Sequence, residues 1–176
     1  MKLDSLFETP FTLKSKLNTD LWVDNTLKQE VRIKLVEIAY AFLKYINLPG
    51  LEIEDILFTG SMANYNYTDK SDIDLHLVVD FDKLPAECPL LADDYFQAKK
   101  TLFNKNHNIS IYGHPVELYV ENIKTPSKSG GKFSLVNNDW IEIPVPSTIS
   151  VIGDPEESEK YQDIVNQMYE KIKCTL

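Results

Sequence analysis

Along this chain the spacing of hydrophobic residues changes period several times, and each change predicts an element. From Thr26 to Asn47, Val31, Leu35, Ile38, Phe42 and Ile46 recur on one helical stripe, with Lys28, Glu30, Arg32 and Lys34 on the polar side. The pattern predicts a long amphipathic helix, ended by Leu48-Pro49-Gly50. Glu54-Asp55-Ile56-Leu57-Phe58 reads as a strand that stops at Gly60, and Ile73-Asp74-Leu75-His76-Leu77-Val78-Val79 as a buried one. Asp93 to Lys105 predicts a second helix, in which Tyr95, Phe96, Leu102 and Phe103 form a packed face and Lys99 and Lys100 a basic edge. Ile109-Ser110-Ile111-Tyr112 and Pro115 to Glu121 predict a strand pair turning at Gly113-His114, and Phe133–Val136 with Trp140–Ile143 a hairpin around Asn137-Asn138-Asp139.

The remaining segments are less periodic. Met1 to Asn25 has no clear repeat, and Leu21-Trp22-Val23 is expected to anchor it on the core. Lys124 to Lys132, with Lys128 between them and Gly130-Gly131 near the end, predicts a mobile basic loop free to close. Pro155 to Lys173 predicts a last helix, acidic at its start and basic at its end as the helix dipole favours. Its stripe of Tyr161, Ile164, Val165, Met168 and Ile172 fits a lid on the core or a dimer face.

Together these elements predict an α/β (α+β) fold, a short mixed sheet flanked by helices, in a single domain spanning residues 1–176 with its core at roughly 30–145. The 176 residues, 43% of them hydrophobic, are enough to bury a real core. No apolar run reaches membrane-spanning length and Met1-Lys2-Leu3-Asp4 opens no leader, so the expected location is cytoplasmic, with no membrane partner. Cys88 and Cys174 are isolated and read as reduced thiols. A formal net charge of −9 argues against a large sequence-independent grip on nucleic acid, although a local basic groove is compatible with it.

Candidate chemistry concentrates between Phe58 and Leu77. Side chains alternate along a strand, so Asp72 and Asp74 share a face about 6–7 Å apart at their Cα atoms, within reach of one divalent ion or a close pair. Two unpaired carboxylates at the end of an apolar strand repel and resist desolvation, and a bound cation relieves both costs. Upstream, Gly60 lets the backbone approach an anion, and Ser61 opens a short helix, Ser61-Met62-Ala63-Asn64, with its hydroxyl and free N–H groups available to phosphate. The bland alternative is a strand end that merely borders solvent. The Gly-Ser turn one short loop upstream favours a site instead.

Phe58/Thr59, Gly60-Ser61, a spacer of roughly ten residues from Met62 to Ser71, and Asp72-Ile73-Asp74-Leu75 resemble the signature of the DNA polymerase β-type nucleotidyltransferase superfamily. Within it the chain is most similar to the small stand-alone nucleotidyltransferases of bacteria and their viruses. The resemblance spans roughly residues 30–145 and implies a nucleotidyltransferase core. It also implies a third carboxylate on a later strand, for which Glu117 in His114-Pro115-Val116-Glu117-Leu118-Tyr119-Val120 is the match. By the same resemblance Asp72, Asp74 and Glu117 hold two Mg²⁺ (or Mn²⁺) ions and a nucleoside triphosphate such as ATP is the donor, with Gly60, Ser61 and Ser71 on the nucleotide side.

Several residues carry two readings. Asp80 lies on the same strand face as the aspartates, but six residues of strand beyond Asp74 is about 20 Å, so it reads as a strand end leading into Asp82-Lys83-Leu84-Pro85. His76 is a hydrogen-bonded strand residue or a ligand, and Lys99 and Lys100 form a solvated face or phosphate contacts. For the whole chain the leading expectation is transfer of a nucleoside monophosphate to RNA, a small molecule or a protein side chain. The alternatives are a catalytically quiet nucleotide- or partner-binding module and a toxin-antitoxin enzyme that modifies a companion protein.

Overall fold

A computed structural model describes residues 14–84 and 91–146. The C-terminal helix expected at 155–173, and both cysteines, lie outside these residues. Trp22–Val23 (β1) and Thr26–Leu27 (β2) pair as a small antiparallel hairpin. Its turn, Asp24-Asn25, takes positive φ at both residues (46° and 63°), a conformation Asx side chains tolerate. The first helix, α1, therefore runs Gln29–Ile46 and not from Thr26. Val31, Leu35, Phe42 and Ile46 of the expected stripe are buried in it and Ile38 is partly buried. Asn47 closes it in the left-handed region, just before Leu48-Pro49-Gly50.

Asp55–Thr59 (β3) pairs antiparallel with Ile73–Val79 (β4), and β4 pairs parallel with His114–Asn122 (β6). Between β4 and β6 in sequence lies the second helix, Ala92–Asn106 (α2). Ser110–Ile111 (β5) forms a hairpin with the start of β6, turning at Tyr112 and Gly113 with φ of 50° and 88°. Lys132–Ser134 (β7) and Asp139–Glu142 (β8) complete a six-stranded mixed sheet in the order β5-β6-β4-β3-β7-β8.

Alternation in β4 sets the two faces of the sheet. Ile73, Leu75 and Leu77 are fully buried, whereas Asp74 and His76 are half-buried on the other side. The core takes the first face: α1 and α2 pack on each other through Phe42 and Phe103, whose ring centroids are 4.9 Å apart, and they contact β4 and β6. Beyond its short pairing with β5, β6 has no further strand neighbour on that side among the described residues. Asn104 of α2 covers that side, its Oδ1 accepting from the Leu118 N–H (3.2 Å) and its Nδ2 donating to the Leu118 carbonyl (3.4 Å), next to Glu117.

Trp22 bears out the expected N-terminal anchor. It stacks between Phe58 and Trp140 (centroids 5.3 and 4.8 Å), and its Nε1–H donates to the Met62 carbonyl at 2.9 Å. Leu21 beside it is fully buried, but Val23 is exposed. No helix among the described residues is long and apolar enough to cross a membrane.

Candidate metal centre

Asp74 is the second residue of β4, and in the parallel β4–β6 register it stands directly opposite Glu117. Asp72 precedes the strand by one residue. Each of the three carboxylates offers an oxygen, and the three oxygens lie within 4.8 Å of one another, all half-buried on the face away from the helices. Glu117, the residue that the resemblance offers as third carboxylate, thus lies beside Asp72 and Asp74. The loop that presents Asp72 is fixed from two sides. Ser71 Oγ accepts from the Thr68 N–H (2.9 Å), and the buried His114 donates from Nδ1 to the Ser71 carbonyl (2.7 Å).

On the other flank, Thr59 of β3 pairs with Asp74, and Gly60 follows with φ 75°. A Cβ on Gly60 would lie 1.9 Å from Asp74 Oδ2, so only glycine fits beside this carboxylate. Ser61–Ala63 forms the expected short helix as a single 3₁₀ turn, closed by the Ala63 N–H on the Gly60 carbonyl and the Asn64 N–H on the Ser61 carbonyl. Neither bond uses the Ser61 or Met62 N–H groups. The Gly60 N–H, however, donates to Ser129 Oγ at 3.3 Å.

Ser129 belongs to the segment expected to be a mobile basic loop. In the structure it is a strap across the acidic face. At one end Ser127 donates its N–H (2.9 Å) and its hydroxyl (2.8 Å) to Glu121 of β6, and at the other Ser129 meets Gly60. Gly131 lies so close to the first turn that a Cβ there would be 2.1 Å from the Ala63 carbonyl oxygen. The glycine pair serves close approach. Two of the segment's three lysines are also engaged: Lys124 pairs with Asp82, and Lys132 is a buried β7 residue paired with Glu142 at 2.6 Å, whereas Lys128 is exposed.

Electrostatics work against the cluster on its own. Burial raises the Asp74 carboxyl above the ordinary aspartate range, and the neighbouring Asp72 and Glu117 charges push it further up, with only His76 and a Tyr119 hydrogen bond opposing. Tyr119 Oη donates to Glu117 Oε2 at 2.8 Å, and burial together with that bond pushes its phenol well above its usual value, so it remains a donor. His76 is the hydrogen-bonded strand residue of the two readings: its Nδ1–H donates to Glu121 Oε2 (2.6 Å), and its ring stacks on Tyr119 at 4.7 Å.

Asp80 stays outside the cluster and caps the turn after β4, accepting from the Asp82 N–H at 3.0 Å. Lys99 turns toward α1, over the Tyr45 and Tyr95 rings, and donates to the Tyr45 carbonyl. Lys100 places its ammonium 3.6 Å from the Tyr119 ring centroid. The sequence reading missed Tyr119, Glu121 and His114 as supports. Period-two alternation already places Tyr119 and Glu121 on the Glu117 face, but nothing in the sequence shows what they bond.

The three carboxylates suit a hard divalent cation, which takes oxygen ligands and relieves their mutual repulsion. Comparison with protein-family models, with curated proteins and with solved structures finds no match to this chain.

Proposed function

We propose that the chain is a metal-dependent nucleotidyltransferase that transfers a nucleoside monophosphate from a nucleoside triphosphate to an acceptor hydroxyl or phosphate on RNA, a small molecule or a protein. One observation carries the reading. Three carboxylates from two parallel-paired strands and the loop before them converge within 4.8 Å, beside a Gly60-Ser61 turn whose glycine abuts Asp74.

Asp72, Asp74 and Glu117 would hold the metal, and Mg²⁺ or Mn²⁺ there would supply Lewis-acid activation and neutralise triphosphate charge. The turn at Gly60-Ser61 would offer a triphosphate the Ser61 and Met62 N–H groups and the Ser61 hydroxyl next to the cluster, and Ser71 and His114 keep the Asp72 loop in place. The acceptor oxygen forms its bond to the α-phosphorus as the bond to pyrophosphate breaks, and the acceptor proton leaves to solvent.

The test is incubation with each α-labelled triphosphate, Mg²⁺ or Mn²⁺, and total RNA or cell lysate. Label should enter one acceptor class and be lost in Asp72→Asn and Asp74→Asn, which keep shape but remove charge from the cluster. Label transfer undiminished in both variants would overturn the reading. Metal-independent nucleotide binding without turnover would replace it with the quiet binding module.

A further inference from the structure

Glu117 is the ligand that sits alone on its strand, and its orientation depends on neighbours. The next residue on its face, Tyr119, donates its hydroxyl to Glu117 Oε2 at 2.8 Å. The ring that carries this hydroxyl is itself fixed. His76 stacks on it with centroids 4.7 Å apart and planes 24° from parallel, in the register pair His76–Tyr119 of β4 and β6. The Lys100 ammonium lies 3.6 Å from the ring centroid. The imidazole in turn is held by its 2.6 Å bond to Glu121, a buried carboxylate that also takes two bonds from Ser127 of the strap. An unbroken series of contacts therefore runs from the strap to one oxygen of the third carboxylate.

We propose that Tyr119 is a positioning residue: it fixes the Glu117 carboxylate by binding Oε2, so that the remaining lone pairs face the cation shared with Asp72 and Asp74. The inference rests on the metal-binding reading of the triad. Its physical basis is that a ligand carboxylate is oriented by its own hydrogen-bond partner, and that losing such a partner typically weakens metal affinity about 10–100-fold. Without the hydroxyl, Glu117 keeps its charge but gains rotamer freedom, which must be lost again when metal binds.

Mn²⁺ binding to the full chain, read from the free-Mn²⁺ electron paramagnetic resonance signal, tests this with parent, Tyr119→Phe, Glu117→Gln and the double variant. Tyr119→Phe should bind Mn²⁺ at least about 10-fold more weakly while melting, in chelator, at the parent temperature. In the Glu117→Gln background the same substitution should add a much smaller loss, because its 2.8 Å bond is to Glu117. Parental Mn²⁺ affinity in Tyr119→Phe, an equal loss in both backgrounds, or a variant that no longer folds would each overturn the inference and leave the hydroxyl a structural part. A parent that binds no Mn²⁺ would instead overturn the metal reading, and this inference with it.

Discussion

Gly60 has neither the room nor the backbone angle for a side chain. Its φ of 75° is unfavourable for L-residues, and a Cβ would meet Asp74 Oδ2 at 1.9 Å. Gly60→Ala should therefore cost about 1–3 kcal/mol of stability in denaturant titrations and displace the carboxylate that it touches, weakening Mn²⁺ binding. Parental values of both would show that the turn has space to yield. Glu117 and Asp80 make a second pair of tests. Glu117 lies in the cluster and Asp80 caps a turn beyond it, so Glu117→Gln should lower nucleotidyl transfer by orders of magnitude while Asp80→Asn changes it little. Equal losses in a steady-state assay would reject the assignment. At this scale the acidic site was largely legible. A strand's period of two put Asp72 and Asp74 together, and the same rule, with chain length, kept Asp80 apart. The partners of those groups were not legible, because a hydrogen bond such as His114 to the Ser71 carbonyl joins residues 43 positions apart.

At the scale of elements, the strap shows what composition leaves out. Lysines, serines and glycines predict a mobile basic loop, and Lys124, Thr125, Pro126, Lys128 and Gly130 are exposed, but the serines also bond across the sheet and Gly131 packs against Ala63. Glu121 is its anchor. Burial alone would raise that carboxyl, but hydrogen bonds from His76 and from the Ser127 hydroxyl and N–H outweigh it and hold the group below the ordinary glutamate value. A carboxylate whose pKa is lowered by folding contributes stability that is present above its unfolded value, about 4.3, and is lost as pH falls through the lower folded value. Glu121→Gln should thus destabilise the chain by about 1–3 kcal/mol at neutral pH and flatten its loss of stability on acidification, in urea titrations across pH. An acid limb parallel to the parent's would exclude Glu121 as its source. The helix boundary has a similar lesson. The Asp24-Asn25 pair between Trp22-Val23 and Thr26-Leu27 has the residues of a tight turn, but the helical stripe that follows predicts a helix from Thr26 where α1 starts at Gln29.

For the whole molecule, the sheet separates two chemistries by face: α1, α2 and the aromatic cluster hold the fold on one side, and the carboxylates collect on the other. The mixed α/β class followed from element order. Strand neighbours did not, since nothing local tells β6 to lie parallel to β4 with Glu117 opposite Asp74 rather than one residue out of step. That register brings like charges together in a chain that already carries a net charge of −9, so the fold holds the cluster at a cost in free energy that a bound cation would relieve. Ligands that bind only the folded state raise its stability by mass action, about 2.7 kcal/mol at a hundredfold excess over Kd. Mg²⁺ alone should therefore raise Tm, and Mg²⁺ with a nucleoside triphosphate should raise it further, because the triphosphate adds the Gly60-Ser61 contacts to the metal ones. Asp72→Asn should lose most of both increments. If millimolar Mg²⁺ and each triphosphate in turn leave the parent's Tm unmoved, the acidic cluster binds neither, and the nucleotidyltransferase reading fails at the binding step before any acceptor need be sought.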